Sequence, residues 1–275
     1  VLLSAAHIHT KGYLKTIAER GDCRLTAVWD DVPDRGQRYA AENGAEFVAD
    51  LAAAVARPEA GAFLICAEIA RHMPPLEASL PRLLPLFCEK PFVTTAAEAR
   101  RALALVRQYG TIVHMGYFQP FTDTMQGIAA MLAEGRLGKV THARFRNAHH
   151  AAYGRWFDSP DLAWFHDARL AGGGAFMDMG THAVHLLRTL LGPVSEVLAT
   201  IGNASGEYPG VDDNGTALFR FESGVLGVVE AAWIQTGGYS GLEITGSQGT
   251  VYNHPERGYV VAAPMHTGDN FLDQS

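Results

Sequence analysis

The sequence predicts an α/β fold in two parts: an N-terminal domain on a parallel sheet, then an α+β domain on a largely antiparallel sheet. Three observations predict it. Residues 1–115 alternate short apolar runs with helical stretches, and a strand–helix–strand rhythm makes parallel strands joined by right-handed crossovers. After Gly116 the rhythm changes to longer strands with fewer helices between them, the pattern of an α+β domain. The 275 residues, 48% of them hydrophobic, are enough for two modest cores. The boundary is therefore set at Gly116, giving domains 1–116 and 117–275.

In the first domain, strands are expected at 1–4, 24–29, 46–48, 61–66, 83–88 and 111–115, and helices at 11–20, 35–43, 51–56, 72–79 and 96–109. Such an open parallel sheet is the dinucleotide-binding, or Rossmann, architecture, and its ligand crevice lies outside the C-terminal ends of the strands. In the second domain a helix at 122–134 leads to an alternating strand at 140–147. A long loop, 149–174, precedes a further helix, and strands follow at 197–201, 216–221, 225–233 and 242–245. Residues 258–275 offer no closing helix.

Bulk properties exclude several classes. A net charge of −7 argues against nucleic acid or an anionic membrane as partner. No apolar run approaches the ~18 residues of a membrane span, and no signal peptide is visible after Val1. Cys23, Cys66 and Cys88 are scattered, without metal spacing, and each lies in or beside an apolar segment. They read as buried reduced thiols, which sets the expected location as the cytoplasm.

Two motifs carry chemistry. In Gly172-Gly173-Gly174-Ala175-Phe176-Met177-Asp178-Met179-Gly180-Thr181-His182, an acid and a base stand four residues apart. On an α-helix Asp178, His182 and His185 would share one stripe, and Met179, Ala183, Leu186, Leu187 and Leu190 another. Such a helix buries one face and offers proton-transfer groups on the other; a half-buried helix with solvated Asp and His fits the same pattern. The second motif, Phe87-Cys88-Glu89-Lys90-Pro91, ends an apolar run. It places a lysine at a strand's C-terminal end, where it can hold a substrate hydroxyl, and Pro91 stops the strand.

Together and in this order, with Gly116-Tyr117 between them, these motifs resemble the Gfo/Idh/MocA family of sugar and polyol oxidoreductases over nearly the whole chain. The resemblance implies NAD as cofactor and a carbohydrate or polyol as substrate. It also implies catalytic roles for Lys90, Asp178 and His182, and substrate contacts from Lys90, Tyr117, Trp164, Asp178 and His182. His182 suits the base that takes the hydroxyl proton, since an unperturbed imidazole titrates near ~6.5. Lys90 can stabilise a developing alkoxide. Asp178 can orient a second hydroxyl or the imidazole. Where the family often has Asp three residues after the histidine, this chain has His185.

The cofactor-binding candidates are Ala6, His7, Ile8, Asp30, Cys66, His72, Glu89 and Lys90. The expected Gly-x-Gly-x-x-Gly turn reads Ser4, Ala6 and His9 at its glycine positions. Asp30 closes the second strand at the offset of a ribose-binding acid, and a carboxylate there favours NAD over NADP; a turn aspartate is the alternative, and Arg35 or Arg38 would offset the preference. His72 matches a family histidine beside the nicotinamide, although Ala67-Glu68 replaces the usual Thr-Pro upstream. The loop 149–164 is rich in rings and polar tips (His149, His150, Tyr153, Arg155, Trp156, Phe157, Trp164), as a sugar site or a packed connection would be. His7-x-His9 and His182-x-x-His185 have metal-ligand spacing, but the family resemblance implies no metal. Competing readings are a redox-neutral NAD-using lyase or glycosidase on the same fold, and a cofactor- or sugar-sensing homologue without catalysis. The apolar run 225–233 suggests a sheet face suited to a homodimer or homotetramer.

Overall fold

Residues 1–262 are described in the computed structural model, in two compact units. The first comprises Val1–Tyr117, Gly154–Asp178 and Gly206–Val211; the second comprises Phe118–Tyr153, Met179–Ser205 and the chain from Asp212. Two segments from beyond residue 117 thus fold with the first unit, which a single cut at Gly116 does not capture. Local apolar patterning marks strands and helices, but not which sheet a long loop will cover.

In the first unit the strands β1 (Leu2–Ala5), β2 (Ala27–Trp29), β3 (Glu46–Phe47), β4 (Phe63–Cys66), β5 (Leu86–Cys88) and β6 (Val113–Met115) alternate with α1 (Thr10–Glu19), α2 (Pro33–Glu42), α3 (Leu51–Val55), α4 (Met73–Ser79) and α5 (Ala96–Tyr109). All neighbouring strands run parallel, in the order β3-β2-β1-β4-β5-β6. The order reverses direction between β1 and β4, the switch point where such sheets bind ligands. Both faces of the sheet are covered, so alternate residues of one strand feed opposite cores. Leu3 and Ile65 join one cluster with Phe63, Leu76 and Leu80, while Leu2 and Cys66 join another with Leu14, Val28 and Tyr39. Each large apolar side chain buried this way contributes about 1.5–3 kcal/mol. The strands are shorter than expected at their N-terminal ends. Leu83, for example, adopts φ +56° and lies outside β5. Asp50 and Thr95 cap α3 and α5 through the amides of Ala53 and Glu98. The late segments add a short helix, α6 (Ala168–Ala171), capped by Asp167.

In the second unit α7 (Asp123–Ala133) precedes β7 (Val140–Ala148), and α8 (Thr181–Leu191) precedes β8 (Val194–Gly202), β9 (Asn214–Phe221), β10 (Leu226–Ala232), β11 (Gly241–Gly246), β12 (Gly249–His254) and β13 (Gly258–Ala262). The sheet order is β13-β12-β11-β7-β10-β9-β8, antiparallel except for the β7–β10 pair. The hairpin β12–β13 carries no signal that sequence reading used, and the last part of the expected 258–275 tail lies outside the described residues. Ala183, Leu186 and Leu187 of α8 are buried, as their stripe predicts, and the helix lies on β7 and β10. Val197, Leu198, Ile201, Leu218 and Leu226 remain exposed.

The run expected to be helical from Asp178 starts differently. Phe176–Gly180 forms a wide π-type turn, and the α-helix begins only at Thr181. A π-turn winds through fewer degrees per residue than an α-helix, so the stripe drawn at α-helical spacing does not carry over to Asp178 and His182.

Candidate active site

The site is built first from the turn after β1. Ser4 stands where the fingerprint has its first glycine, and its backbone keeps the glycine-like conformation, φ +68°. The register of β1 against β4 shifts at this point. Asp30, at the end of β2, holds the turn in place. Its Oδ2 accepts from the Ala5 amide at 2.8 Å and Arg35 Nε at 2.9 Å; its Oδ1 accepts from the Val32 amide at 2.8 Å and Arg35 Nη2 at 2.8 Å. The Ser4 hydroxyl adds a longer bond at 3.4 Å. Gly36, beside Arg35, permits this close packing: a Cβ there would lie 2.8 Å from Asp30 Cβ. Asp30 is thus buried with both oxygens occupied, and it does not present the open carboxylate expected at a ribose. The sequence places the acid at the right offset but does not reveal that a salt-bridge partner five residues later engages both oxygens.

The second glycine position, Ala6, is buried, and its carbonyl accepts the indole N–H of Trp164 at 3.1 Å. Trp164 packs on the turn after β1, stacks on Phe165 at 4.0 Å and lines the adjacent cleft. Ile8 is partly exposed at the tip of the turn. The amide of His7 is tied to Cys66 O at 2.9 Å, fixing the turn to β4.

A second buried cluster joins this turn to β5. Glu89 Oε1 accepts from His9 Nδ1 at 3.0 Å and from the Tyr13 hydroxyl, and lies 3.6 Å from His7 Nδ1. Glu89 Oε2 accepts from the Lys90 amide at 2.9 Å. Gly116 fits over this carboxylate because a Cβ would sit 2.9 Å from Oε2. Burial opposes the Glu89 charge, yet His7, His9 and Tyr13 outweigh it and hold the carboxyl down at about 2. Burial drives His7 to about 3, so at neutral pH a neutral His7 faces an ionised Glu89. The direct donors Tyr13 and His9 then carry the stabilisation. Ligand-type atoms of His7, His9 and Glu89 lie within 4.8 Å of one another; as arranged, they form a hydrogen-bonded cluster. Tyr13, which completes it, was missed: a tyrosine within α1 gives no sign that it reaches across the sheet edge.

Lys90 follows directly and is only 2% exposed. Its ammonium donates to Asp178 Oδ1 at 2.6 Å and to the Asp178 carbonyl at 3.2 Å. The two predicted catalytic residues of the first unit are therefore in direct contact, and one ammonium N–H is left without a partner among the described residues. Tyr117, just past β6, is held by its amide to Met115 O at 2.7 Å. His72 departs from expectation. Its ring is fully buried and its nitrogens face Phe92 O at 2.9 Å and Ala67 O at 3.1 Å, so it holds loops together rather than facing a ligand. In the second unit, His182 sits in the first turn of α8, 7% exposed, with Phe118 at 6.0 Å.

Beside these clusters the first unit contains a cleft of about 700 Å³, lined by Val32, Arg35, Glu68, Trp164 and His166 among others. That volume suits a cofactor or ligand. A doubly wound sheet, a helix start immediately after the β1 turn, small side chains at positions 4 and 6, and this cleft together fit a dinucleotide.

Comparison with known proteins decides the relationship. A family model described as an oxidoreductase family with an NAD-binding Rossmann fold matches residues 5–117, and the GFO/IDH/MocA C-terminal domain matches residues 125–252. The chain belongs to the GFO/IDH/MocA oxidoreductase family. It is an NAD-binding enzyme of the class that oxidises CH–OH groups. Among its relatives, 1,5-anhydro-D-fructose reductase of Ensifer adhaerens is 27% identical, covering 91% of this chain and 74% of that protein. Myo-inositol 2-dehydrogenase of Thermotoga maritima is 26% identical over 77% of this chain and 62% of that protein. Among solved structures, the WlbA dehydrogenase of Bordetella pertussis, determined with NADH and UDP-GlcNAcA, superposes with a TM-score of 0.82 at 22% identity, covering 95% of this chain and 73% of that one. Within this family, Arg35 and Glu68 were the residues sequence reading weighed least: Arg35 entered only as a modifier of cofactor preference, Glu68 only as a departure from Thr-Pro.

Proposed function

We propose that this GFO/IDH/MocA enzyme oxidises a secondary hydroxyl of a sugar, sugar derivative or inositol, passing hydride to NAD. The observation that carries the reading is the buried Lys90 ammonium, held at 2.6 Å by Asp178 at the C-terminal end of β5. That end of the sheet is where the fold binds its ligands. The nicotinamide, when bound, supplies the hydride acceptor. Lys90, already oriented by Asp178, gives its remaining N–H to the reacting hydroxyl and stabilises the developing alkoxide. His182 takes the proton, so the alcohol loses a hydride from carbon and a proton from oxygen and leaves as a ketone. Asp178 also lowers the freedom of the Lys90 chain, which holds the reacting oxygen in place. Tyr117 borders the substrate.

The names of the relatives support the substrate class: they include an anhydrosugar reductase and inositol dehydrogenases. The exposed apolar residues of β8, β9 and β10 support a homo-oligomer. Cys66 and Cys88 are buried as expected, whereas Cys23 is exposed; all three are free thiols, in keeping with a reducing cytoplasm. Among the described residues no helix is long and apolar enough to cross a membrane.

The test is near-ultraviolet absorbance of reduced nicotinamide with NAD and a panel of sugars and inositols. A rise with one substrate class that disappears in Lys90→Ala supports the reading. No rise with any polyol, from protein that binds NAD, sinks it.

A further inference from the structure

Three carboxylates crowd the ends of β2 and β4: Asp30, Asp31 and Glu68. Two guanidiniums face them, Arg35 and Arg71. Both oxygens of Asp30 are taken by Arg35 and backbone amides. Asp31 Oδ1 lies 3.4 Å from Arg35 and Oδ2 lies 2.5 Å from Arg71. Glu68 Oε1 accepts from Arg35 at 3.1 Å and Arg71 at 3.4 Å. Of these six oxygens, only Glu68 Oε2 has no hydrogen-bond partner among the described residues, and it is buried.

A buried carboxylate oxygen without a donor is unfavourable unless something else supplies one. Glu68 lines the 700 Å³ cleft, and its other oxygen is clamped by two arginines, so the free one cannot swing away without breaking both bonds. We propose that Glu68 Oε2, rather than Asp30, accepts the hydrogen bonds of the adenosine ribose diol of the dinucleotide. The inference rests on the reading of this site as the NAD site. Arg35 bridges Asp30 and Glu68 directly, so the open acceptor lies one guanidinium away from the acid at the fingerprint offset. Arg35 acts as the positioning residue: it neutralises Asp30 and aims Glu68. Three carboxylates against two guanidiniums leave the corner one charge negative, which repels a 2′-phosphate and selects NAD over NADP.

The experiment is calorimetric titration of the purified protein with NAD, NADP and nicotinamide mononucleotide, for wild type, Glu68→Gln and Glu68→Ala. Glu68→Gln keeps an acceptor for Arg35 and the side-chain shape, and its thermal melt checks the fold; a variant that fails this check is replaced by Glu68→Ala. Wild type should bind NAD more tightly than NADP. Either variant should weaken NAD by roughly ten- to hundredfold, the worth of a hydrogen bond to a charged group. NADP should weaken less or tighten, and nicotinamide mononucleotide should stay unchanged. Folded variants that bind NAD as wild type does overturn the assignment. Equal losses for NAD and NADP overturn the ribose as the group read, and deamino-NAD then tests the adenine amine. A wild type that binds no dinucleotide overturns the site reading itself, a different failure.

Discussion

Two buried charge clusters flank the β1 turn, and they use their charges differently. Around Asp30, carboxylates meet arginines, and the pairing consumes five of six oxygens. Around Glu89, a carboxylate meets Tyr13, His9 and a backbone amide, while the neighbouring cation Lys90 is held by a different acid, Asp178. The first arrangement fixes backbone and leaves a single buried acceptor, on a residue that lines the cleft. The second fixes the strand end and leaves a cation with one N–H to give. The pairing therefore separates the charges: anions are in excess at the first cluster, where we propose recognition, and an oriented ammonium stands at the second, where we propose catalysis.

The largest effect should come from breaking the second arrangement at its cation. Lys90→Met keeps most of the length of the side chain and removes the donor. Turnover should fall by about 10²–10⁴-fold, the usual worth of a positioned acid–base or oxyanion group, with NAD affinity within a few fold of wild type. Steady-state rates alongside calorimetry check it, and comparable turnover would move catalysis away from Lys90. Asp178→Asn should follow in the same direction with a smaller loss.

Breaking the first arrangement should cost stability instead. Asp30→Asn leaves Arg35 buried with one charge partner fewer and replaces a turn-holding anion. Breaking a buried pair from one side costs about 3–5 kcal/mol. Glu68→Gln removes a charge from the same arginine but keeps the neutral acceptor, and its loss should be well below that of Asp30→Asn. Urea midpoints of the two variants test the ranking. Equal losses would mean that Asp30 is not the structural acid and that Glu68 holds the turn as tightly as Asp30 does.

This contrast shows what the sequence could and could not disclose. Strand–helix alternation and the ends of the apolar runs were enough for the parallel sheet, and α5 occupies the expected residues. Lys90 and Asp178 stand out in the sequence because each sits in a compact local motif, but neither motif shows that the two side chains meet. The pairing of Asp30 with Arg35 was not, because a carboxylate's offset says nothing about which partner reaches it first. His72 misled for a related reason: a histidine after β4 looks the same whether its ring faces a ligand or two backbone carbonyls. The π-turn at Phe176–Gly180 was hidden because helical periodicity is read with an assumed 3.6-residue turn. Trp164 was assigned to substrate from its position, and only its bond to Ala6 O reveals its packing on the turn.

The Glu89 cluster also predicts an acid sensitivity. His7 titrates at about 3 in the folded chain because burial disfavours its charge, against about 6.5 when unfolded. Between these values the unfolded chain binds more protons, so stability rises with pH. It is fully present above about pH 6.5 and is lost as pH falls toward 3, at up to about 1.4 kcal/mol per pH unit for one proton. His72, lowered by burial, acts in the same direction. Glu89, held at about 2, adds a loss that begins below the ~4.3 of a free glutamate. Urea midpoints taken from about pH 7 down to pH 4.5 should fall steadily in wild type, and His7→Gln should flatten the upper part of that slope. An unchanged slope in His7→Gln would place the titrating group elsewhere.

The smallest effect is expected beside the Asp30–Arg35 pair, at Ser4. Its φ of +68° suits glycine, and the left-handed conformation costs an L-residue about 1 kcal/mol. Ser4→Gly removes that strain. It also removes the hydroxyl's contacts with Asp30 at 3.4 Å and Arg35 at 3.3 Å, both long and individually weak. A glycine further loosens the unfolded chain, which opposes folding by about 0.4–1 kcal/mol. The gain and the two losses are of similar size, so the midpoint should move by the equivalent of about 0.5 kcal/mol or less. A loss of several times that would show that the Ser4 hydroxyl helps hold the Asp30–Arg35 pair. A clear gain would show that the pair holds the turn alone, with serine merely tolerated at a glycine position.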